Sequence, residues 1–382
     1  MRKMVAALLL AVSLGGLSLP AALAAEGESG LTVPAKAALL MERETGAVLW
    51  EQNAHEQLEP ASVTKVMTML LVAEAIEAGT LTLDELVTTS AAAAGMGGSQ
   101  VYLEEGEQMT VDEMLKAVAV ASGNDAAVAL AEHLAGSEGA FAERMNRRAA
   151  ELGMEDTHFV NCTGLPAEGH LTSAYDIALM SRELLRHEVI RRYTGIWMDT
   201  LRGGEFQLAN TNKLIHSYRG ATGLKTGSTS AAGFCIAASA ERDGMELIAV
   251  ILGAETSAER FDAARTLLDY GFGGWAMTEI VPEELPAEVP VRLGRAETVT
   301  AALERPARLL VTREELGQVA GAITLSEEVE APVRAGDTLG TLTVSIGEET
   351  VCELPLVAQE DVERLTFGDL FARMLRQLAM AT

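Results

Sequence analysis

Aromatic residues make up only 4% of this 382-residue chain, and cysteine occurs three times. Cys162, Cys235 and Cys352 lie far apart, and so sparse and odd a set is not a disulfide framework. No Cys-x-x-Cys or His-x-x-x-His spacing is present, and the six histidines are scattered. A Gly-x-Ser-x-Gly elbow is missing too. Metal chemistry and histidine-based acyl transfer are therefore disfavoured, and nothing calls for a cofactor. Positive charge is also scarce. Lys and Arg number 29 against 55 Asp and Glu, a net charge of −26, with no long basic patch. Nucleic acid, which needs cations to neutralise its phosphates, is excluded as a partner. Long apolar runs are missing after the first two dozen residues, so no later stretch can span a bilayer. The early run, residues 4–23, follows Arg2 and Lys3, is broken by Gly15, Gly16 and Pro20, and ends at Ala22-Leu23-Ala24. That pattern predicts a cleaved export signal over 1–24 and a mature chain that acts outside the cell.

What is present is apolar and globular: 48% of the residues are hydrophobic, and the length suits two domains. The chain is organised around Pro60-Ala61-Ser62-Val63-Thr64-Lys65, which opens an apolar stretch read as a buried helix. Ser62 and Lys65, three apart, share one helix face. A serine hydroxyl is a weak nucleophile until a base takes its proton, and a lysine serves if burial and nearby cations lower its pKa. Before this helix, 36–42 and 48–51 read as a strand hairpin turning at 44–47. Thr110 and Glu113 form a capping box that opens a helix through Val120. Ser122-Gly123-Asn124 then lies on a turn before a helix over 126–135. Helices follow over 141–152 and from the cap at 172–176 to about His187. Lys225-Thr226-Gly227-Ser228 falls on the first strand of a hairpin, where Gly227 leaves room for a ligand and a free edge could pair with a peptide. A helix over 258–270 and glycines at 271–274 close this part.

Ser-x-x-Lys, then Ser-Gly-Asn 60 residues on, then Lys-Thr-Gly 103 residues further is a specific order. Penicillin-binding proteins and class A β-lactamases carry such a motif set, the lactamases with Asp where this chain has Gly123. The chain resembles the low-molecular-mass penicillin-binding proteins, serine D-alanyl-D-alanine carboxypeptidases of the S11 peptidase type. The resemblance extends through residues 60–68, 122–126, 158–166, 169–179, 210–214 and 223–229, and covers most of 35–275.

The resemblance implies an α+β fold: an antiparallel sheet flanked by helices, with a helical subdomain, in a catalytic domain over 25–275. It also implies roles. Ser62 would attack the carbonyl between the terminal D-alanines of peptidoglycan muropeptides, and β-lactam antibiotics would acylate it. Lys65 would be its base, and Ser122 would relay protons. Asn124 would hold the substrate amide, and Lys225 and Thr226 its carboxylate. The Gly227–Ser228 backbone would line the site, with the amides of Ser62 and Ser228 as oxyanion hole. Arg260, 35 residues after Lys225, falls where the family carries a carboxylate-binding arginine. From 276 to 361, short alternating stretches rich in Val, Thr and Glu predict a small β-rich domain. Over 362–382, Phe367, Leu370, Phe371, Met374, Leu375 and Leu378 form one apolar stripe beside Arg364, Arg373 and Arg376. This predicts an amphipathic helix lying on a membrane surface, at the outer face of the cytoplasmic membrane or in the cell wall. Endopeptidase action on cross-links, a class A-like β-lactamase and an inactive wall-binding scaffold stay open at this point.

Overall fold

The computed structural model describes residues 30–372. The predicted signal and the last ten residues of the predicted terminal helix therefore lie outside the described residues. A five-stranded antiparallel sheet runs in the order Val48–Gln52, Ala37–Glu42, Met245–Ala254, Gly233–Arg242, Ala221–Thr229. Its apolar runs are continuous because both faces are covered. Leu39, Met41, Ile248 and Val250 pack into one core, and their neighbours Leu40, Leu247, Ala249 and Ile251 into another. Successive strand residues point to opposite faces, so an unbroken apolar run is what a doubly covered strand requires. On one face lie the helices Lys65–Glu77 and Ala174–Leu184 with the helical subdomain. On the other lies Ser257–Gly274, which presents Phe261, Leu267 and Leu268.

Several element boundaries differ from expectation. Ser62 is not on an α-helix but on a 3-10 turn, Ala61–Thr64, that leads into the α-helix at Lys65. At three residues per turn, side chains at i and i+3 eclipse, so Ser62 and Lys65 align more closely than an α-helix would place them. The capped helix from Thr110 is α-helical only over Val111–Lys116 and then widens into a π turn, Ala117–Ala121. The next helix begins at Asn124 rather than at 126. The helix from the Ser173 cap stops at Leu184, and a separate helix, Glu188–Thr194, follows. The helix expected over 258–270 runs from Ser257 to Gly274 and takes in the glycines at 271–274. Gly271 packs there because a Cβ would meet Leu247 Cδ1 at 2.5 Å.

Beyond this helix, Trp275–Ile280 pairs with Ala307–Thr312. A six-stranded sheet, built chiefly on Thr338–Ile346 and Glu349–Ala358, completes a second, all-β unit around Val289, Val299, Leu342 and Leu356. Leu310 from this unit is buried in the catalytic-side core with Phe272, and Trp275 and Met277 pack against it. The chain turns helical again at 367–372, where Phe367, Leu370 and Phe371 are exposed. Among the described residues no helix is long and apolar enough to cross a membrane.

Candidate active site

Ser62, Lys65, Asn124 and Lys225 are brought together from three segments. Lys65 and Lys225 are both fully buried. The Lys65 Nζ lies 3.1 Å from Ser62 Oγ, 2.6 Å from Asn124 Oδ1 and 2.7 Å from the Thr163 carbonyl oxygen. Burial lowers the Lys65 pKa from 10.5 to about 7. A neutral amine has two hydrogens and one lone pair, whereas an ammonium has three hydrogens and none. The two carbonyl acceptors take the two hydrogens, and the lone pair is left facing the Ser62 hydroxyl. Burial thus sets the charge of the base, and the two carbonyls set its orientation.

Thr163 carries no side-chain signal for this role, since any residue supplies a carbonyl. Its loop is shaped by Asn161, whose Oδ1 accepts from the Thr163 and Gly164 amides at 3.2 and 2.7 Å. Gly164, at φ +82°, passes so close to the serine segment that a Cβ would sit 1.8 Å from the Ala61 carbonyl oxygen. Thr68 Oγ1 ties the same loop to the helix by donating to the Cys162 carbonyl at 2.7 Å. His170 anchors it again. Its Nδ1 accepts from the Val160 amide at 3.0 Å, so its Nε2 donates to Thr64 Oγ1 at 2.8 Å. Burial keeps this imidazole neutral, with a pKa pushed down to about 4.

On the opposite wall Ser122 adopts φ 64°, a left-handed conformation uncommon for serine. Its Oγ is buried and has no hydrogen-bond partner among the described residues. Next to it, Asn124 bridges the cleft: Oδ1 accepts from Lys65, and Nδ2 donates to the Gly97 carbonyl at 2.6 Å. The amide expected to hold substrate is thus largely spent on orienting Lys65, with one hydrogen left over. Asp125 fixes the approach of this wall by accepting from the Val101 and Leu103 amides at 2.9 and 3.1 Å.

The strand Ala221–Thr229, which carries Lys225, is an edge of the sheet, so one side is open to an extended ligand. Lys225 Nζ donates to the Thr226 carbonyl at 3.0 Å. Its pKa is driven well below the ordinary lysine range by burial and by the cations of Lys65 and Arg260. Thr226 Oγ1 donates to Thr211 Oγ1 at 2.7 Å, a partner the motif spacing did not single out. Gly227 differs from expectation. A Cβ there would meet Ser62 N at 2.7 Å and the Pro60 carbonyl oxygen at 2.9 Å, so the missing side chain makes room for the nucleophile's own backbone, not for a ligand. Arg260 also faces the protein. Its Nη1 donates to the carbonyls of Gly227 and Cys235 at 3.1 and 3.2 Å, and its Nη2 to Ser257 Oγ at 3.1 Å. It braces the Lys225 strand from behind and adds buried positive charge. Ser228 follows Gly227 on the same strand.

Metal-ligating side chains come together elsewhere. Among the described residues Glu74, Glu183 and His187 group closely, but Arg148 already bridges the two carboxylates at 2.7 and 3.0 Å.

Residues 24–256 match the D-alanyl-D-alanine carboxypeptidase family, and 278–364 match the C-terminal domain of penicillin-binding protein 5. The chain belongs to the D-alanyl-D-alanine carboxypeptidase family. It is 43% identical over 352 residues to the D-alanyl-D-alanine carboxypeptidase DacF of Bacillus subtilis, covering 91% of this chain and 90% of that one. It superposes on penicillin binding protein 5 from Haemophilus influenzae with a TM-score of 0.73 at 26% identity, over 88% of this chain and all of the other. Penicillin-binding protein D2 from Listeria monocytogenes, solved with ampicillin bound, is 34% identical with a TM-score of 0.58 and covers 63% of this chain and 99% of its own. Membership makes this a serine-type peptidase, and penicillin binding protein 5 shares its fold over 88% of this chain.

Proposed function

We propose that Ser62 and Lys65 carry the carboxypeptidase reaction on peptidoglycan stems ending in D-Ala-D-Ala. Lys65, neutral, takes the Ser62 proton as Oγ bonds to the carbonyl carbon of the penultimate D-alanine. The carbonyl oxygen becomes an oxyanion between the amides of Ser62 and Ser228, where losing one donor typically costs about 3–4 kcal/mol of barrier. The C–N bond then breaks, and the terminal D-alanine leaves with a proton delivered from Lys65 through Ser122. Water, deprotonated by the same base, hydrolyses the Ser62 ester and frees the shortened stem. Lys225, Thr226 and Arg260 attract the terminal carboxylate, which restores the proton on Lys225 as it binds. The remaining Asn124 amide hydrogen is available to the stem's backbone.

The observation that carries this reading is the donor count at Lys65: two carbonyl acceptors, and a third contact at 3.1 Å that is the serine hydroxyl. Benzylpenicillin, bearing a carboxylate and a strained amide, reports on the same groups. Intact mass after brief exposure is expected to show one stable adduct on the wild type and none on Ser62→Ala. Drug consumption without an adduct would make the protein a β-lactamase instead, and neither adduct nor consumption would leave an inactive scaffold.

The site of action is proposed as the outer face of the cytoplasmic membrane or the wall. The Ala-x-Ala-bounded run at 1–24 and the apolar stripe with arginines over 362–382 support it. The exposed Phe367 and Phe371, whose rings stack at 6.5 Å, begin that stripe.

A further inference from the structure

A second cleft, of 380 Å³, opens where the all-β unit meets the catalytic sheet, beyond the start of the strand that carries Lys225. Arg219, Arg242 and Arg313 line it together with Phe272, Trp275 and Met277. Three guanidinium groups converge here on a chain whose net charge is −26.

Two of them are fixed in place. Arg242 has its guanidinium carbon 4.5 Å from the centroids of both the Tyr218 and Phe272 rings, and its Nε donates to the Arg219 carbonyl at 3.1 Å. Arg313 donates from Nε to the Phe272 carbonyl at 2.9 Å, and its terminal nitrogens make no hydrogen bond or ion pair with the described residues. The Arg219 side chain makes no hydrogen bond or ion pair with the described residues. Most arginines elsewhere behave differently: Arg43, Arg191, Arg202 and Arg308 each pair with a carboxylate. The acids near the cleft are few. Asp243 lines it, and Asp269 lies 3.7 Å from Arg242 while accepting from the Tyr218 hydroxyl. With Arg242 paired to Asp269, Arg219 and Arg313 still bring two cations against one lining carboxylate, a balance that an anion improves.

We propose that this cleft binds a phosphate ester. The guanidinium forks of Arg219 and Arg313, beside Arg242 held by Asp269, offer several donors and about two uncompensated charges, which match the oxygens and double charge of a phosphoryl group better than the two oxygens and single charge of a carboxylate. Trp275, Met277 and Phe272 form an apolar wall for the organic part of the ester. Arg219 lies in the turn before the Lys225 strand, Arg242 ends the neighbouring strand of the catalytic sheet and Arg313 follows a strand of the all-β unit, so the ligand bridges the two. The same group could arrive on a soluble or polymeric ester or on a lipid.

The full chain would be titrated calorimetrically with glycerol 3-phosphate and tested for sedimentation with vesicles of phosphatidylcholine with and without phosphatidic acid. The double variant Arg219→Gln/Arg313→Gln should weaken at least one of these at least tenfold, while Arg144→Gln, an exposed change outside the cleft, leaves binding as it was. Loss confined to glycerol 3-phosphate assigns a soluble or polymeric ester, and loss of phosphatidic acid-dependent sedimentation assigns a lipid. Retained penicillin acylation and an unchanged melting temperature would show that the double variant is folded. Binding of neither probe by the wild type, or binding unaltered in the double variant, would overturn the proposal.

Discussion

Lys65 is a base because of where it is buried and not because it is a lysine. Removing its side chain from water disfavours the ammonium, and the carbonyls of Asn124 and Thr163 orient the amine toward Ser62. The sign of the pH dependence follows. The pKa is lowered to about 7, so the protonated, inactive form grows as pH falls through that value. The second-order rate of acylation by benzylpenicillin is expected to drop roughly tenfold per pH unit below about 7 and to level off above it. A stopped-flow series between pH 5 and 9 tests this; a rate flat across pH 7 would mean that Lys65 is not the titrating base. Ser122, strained and unpartnered, fits a group kept ready for a proton that arrives only during turnover.

At the scale of elements, the nucleophile is held by backbone contacts that only glycine permits. Gly164 and Gly227 clamp the Pro60–Ser62 segment from two sides, one from the loop after Cys162 and one from the sheet edge. Gly164→Ala would place a methyl group 1.8 Å from the Ala61 carbonyl oxygen at a φ of +82° that alanine rarely adopts. The expected result is a melting temperature lowered by several degrees, corresponding to about 1–3 kcal/mol, together with a larger fall in acylation rate than in penicillin affinity. A variant with wild-type acylation would show that the clamp is irrelevant to catalysis. This clamp was hidden in the sequence. The motif glycine was legible as a place of close approach, but the strand pattern alone could not say whether a ligand or the chain itself approached.

At the scale of the molecule, the all-β unit is anchored to the catalytic half rather than tethered to it. Leu310 enters the catalytic-side core, Trp275 and Met277 pack against it, and Arg308 reaches Glu44 and the Gly244 carbonyl. Burial of each such side chain contributes on the order of 2 kcal/mol. A chain truncated after Gly274 is therefore expected to melt at a distinctly lower temperature yet still form the Ser62 adduct, because no group of the candidate site comes from beyond that point. Differential scanning calorimetry beside intact mass separates these effects; an unchanged melting temperature would mean that the interface stabilises neither half.

The sequence by itself determined the chemistry on offer: a serine, two lysines, an amide and a hydroxyl in one order, with apolar runs enough for a covered sheet and short alternating stretches for a β-rich tail. These are properties of residue type and spacing, and they survive in one dimension. Tertiary structure decided what each group does. Asn124 is 59 residues from Lys65 and Thr163 is 98, so the acceptors that orient the base are met only on folding. The π turn that ends at Ser122, the bracing of the Lys225 strand by Arg260 and the space denied at Gly227 have the same origin. Burial, dielectric and steric contact are set by what lies nearby in space, and neighbours along the chain do not reveal them.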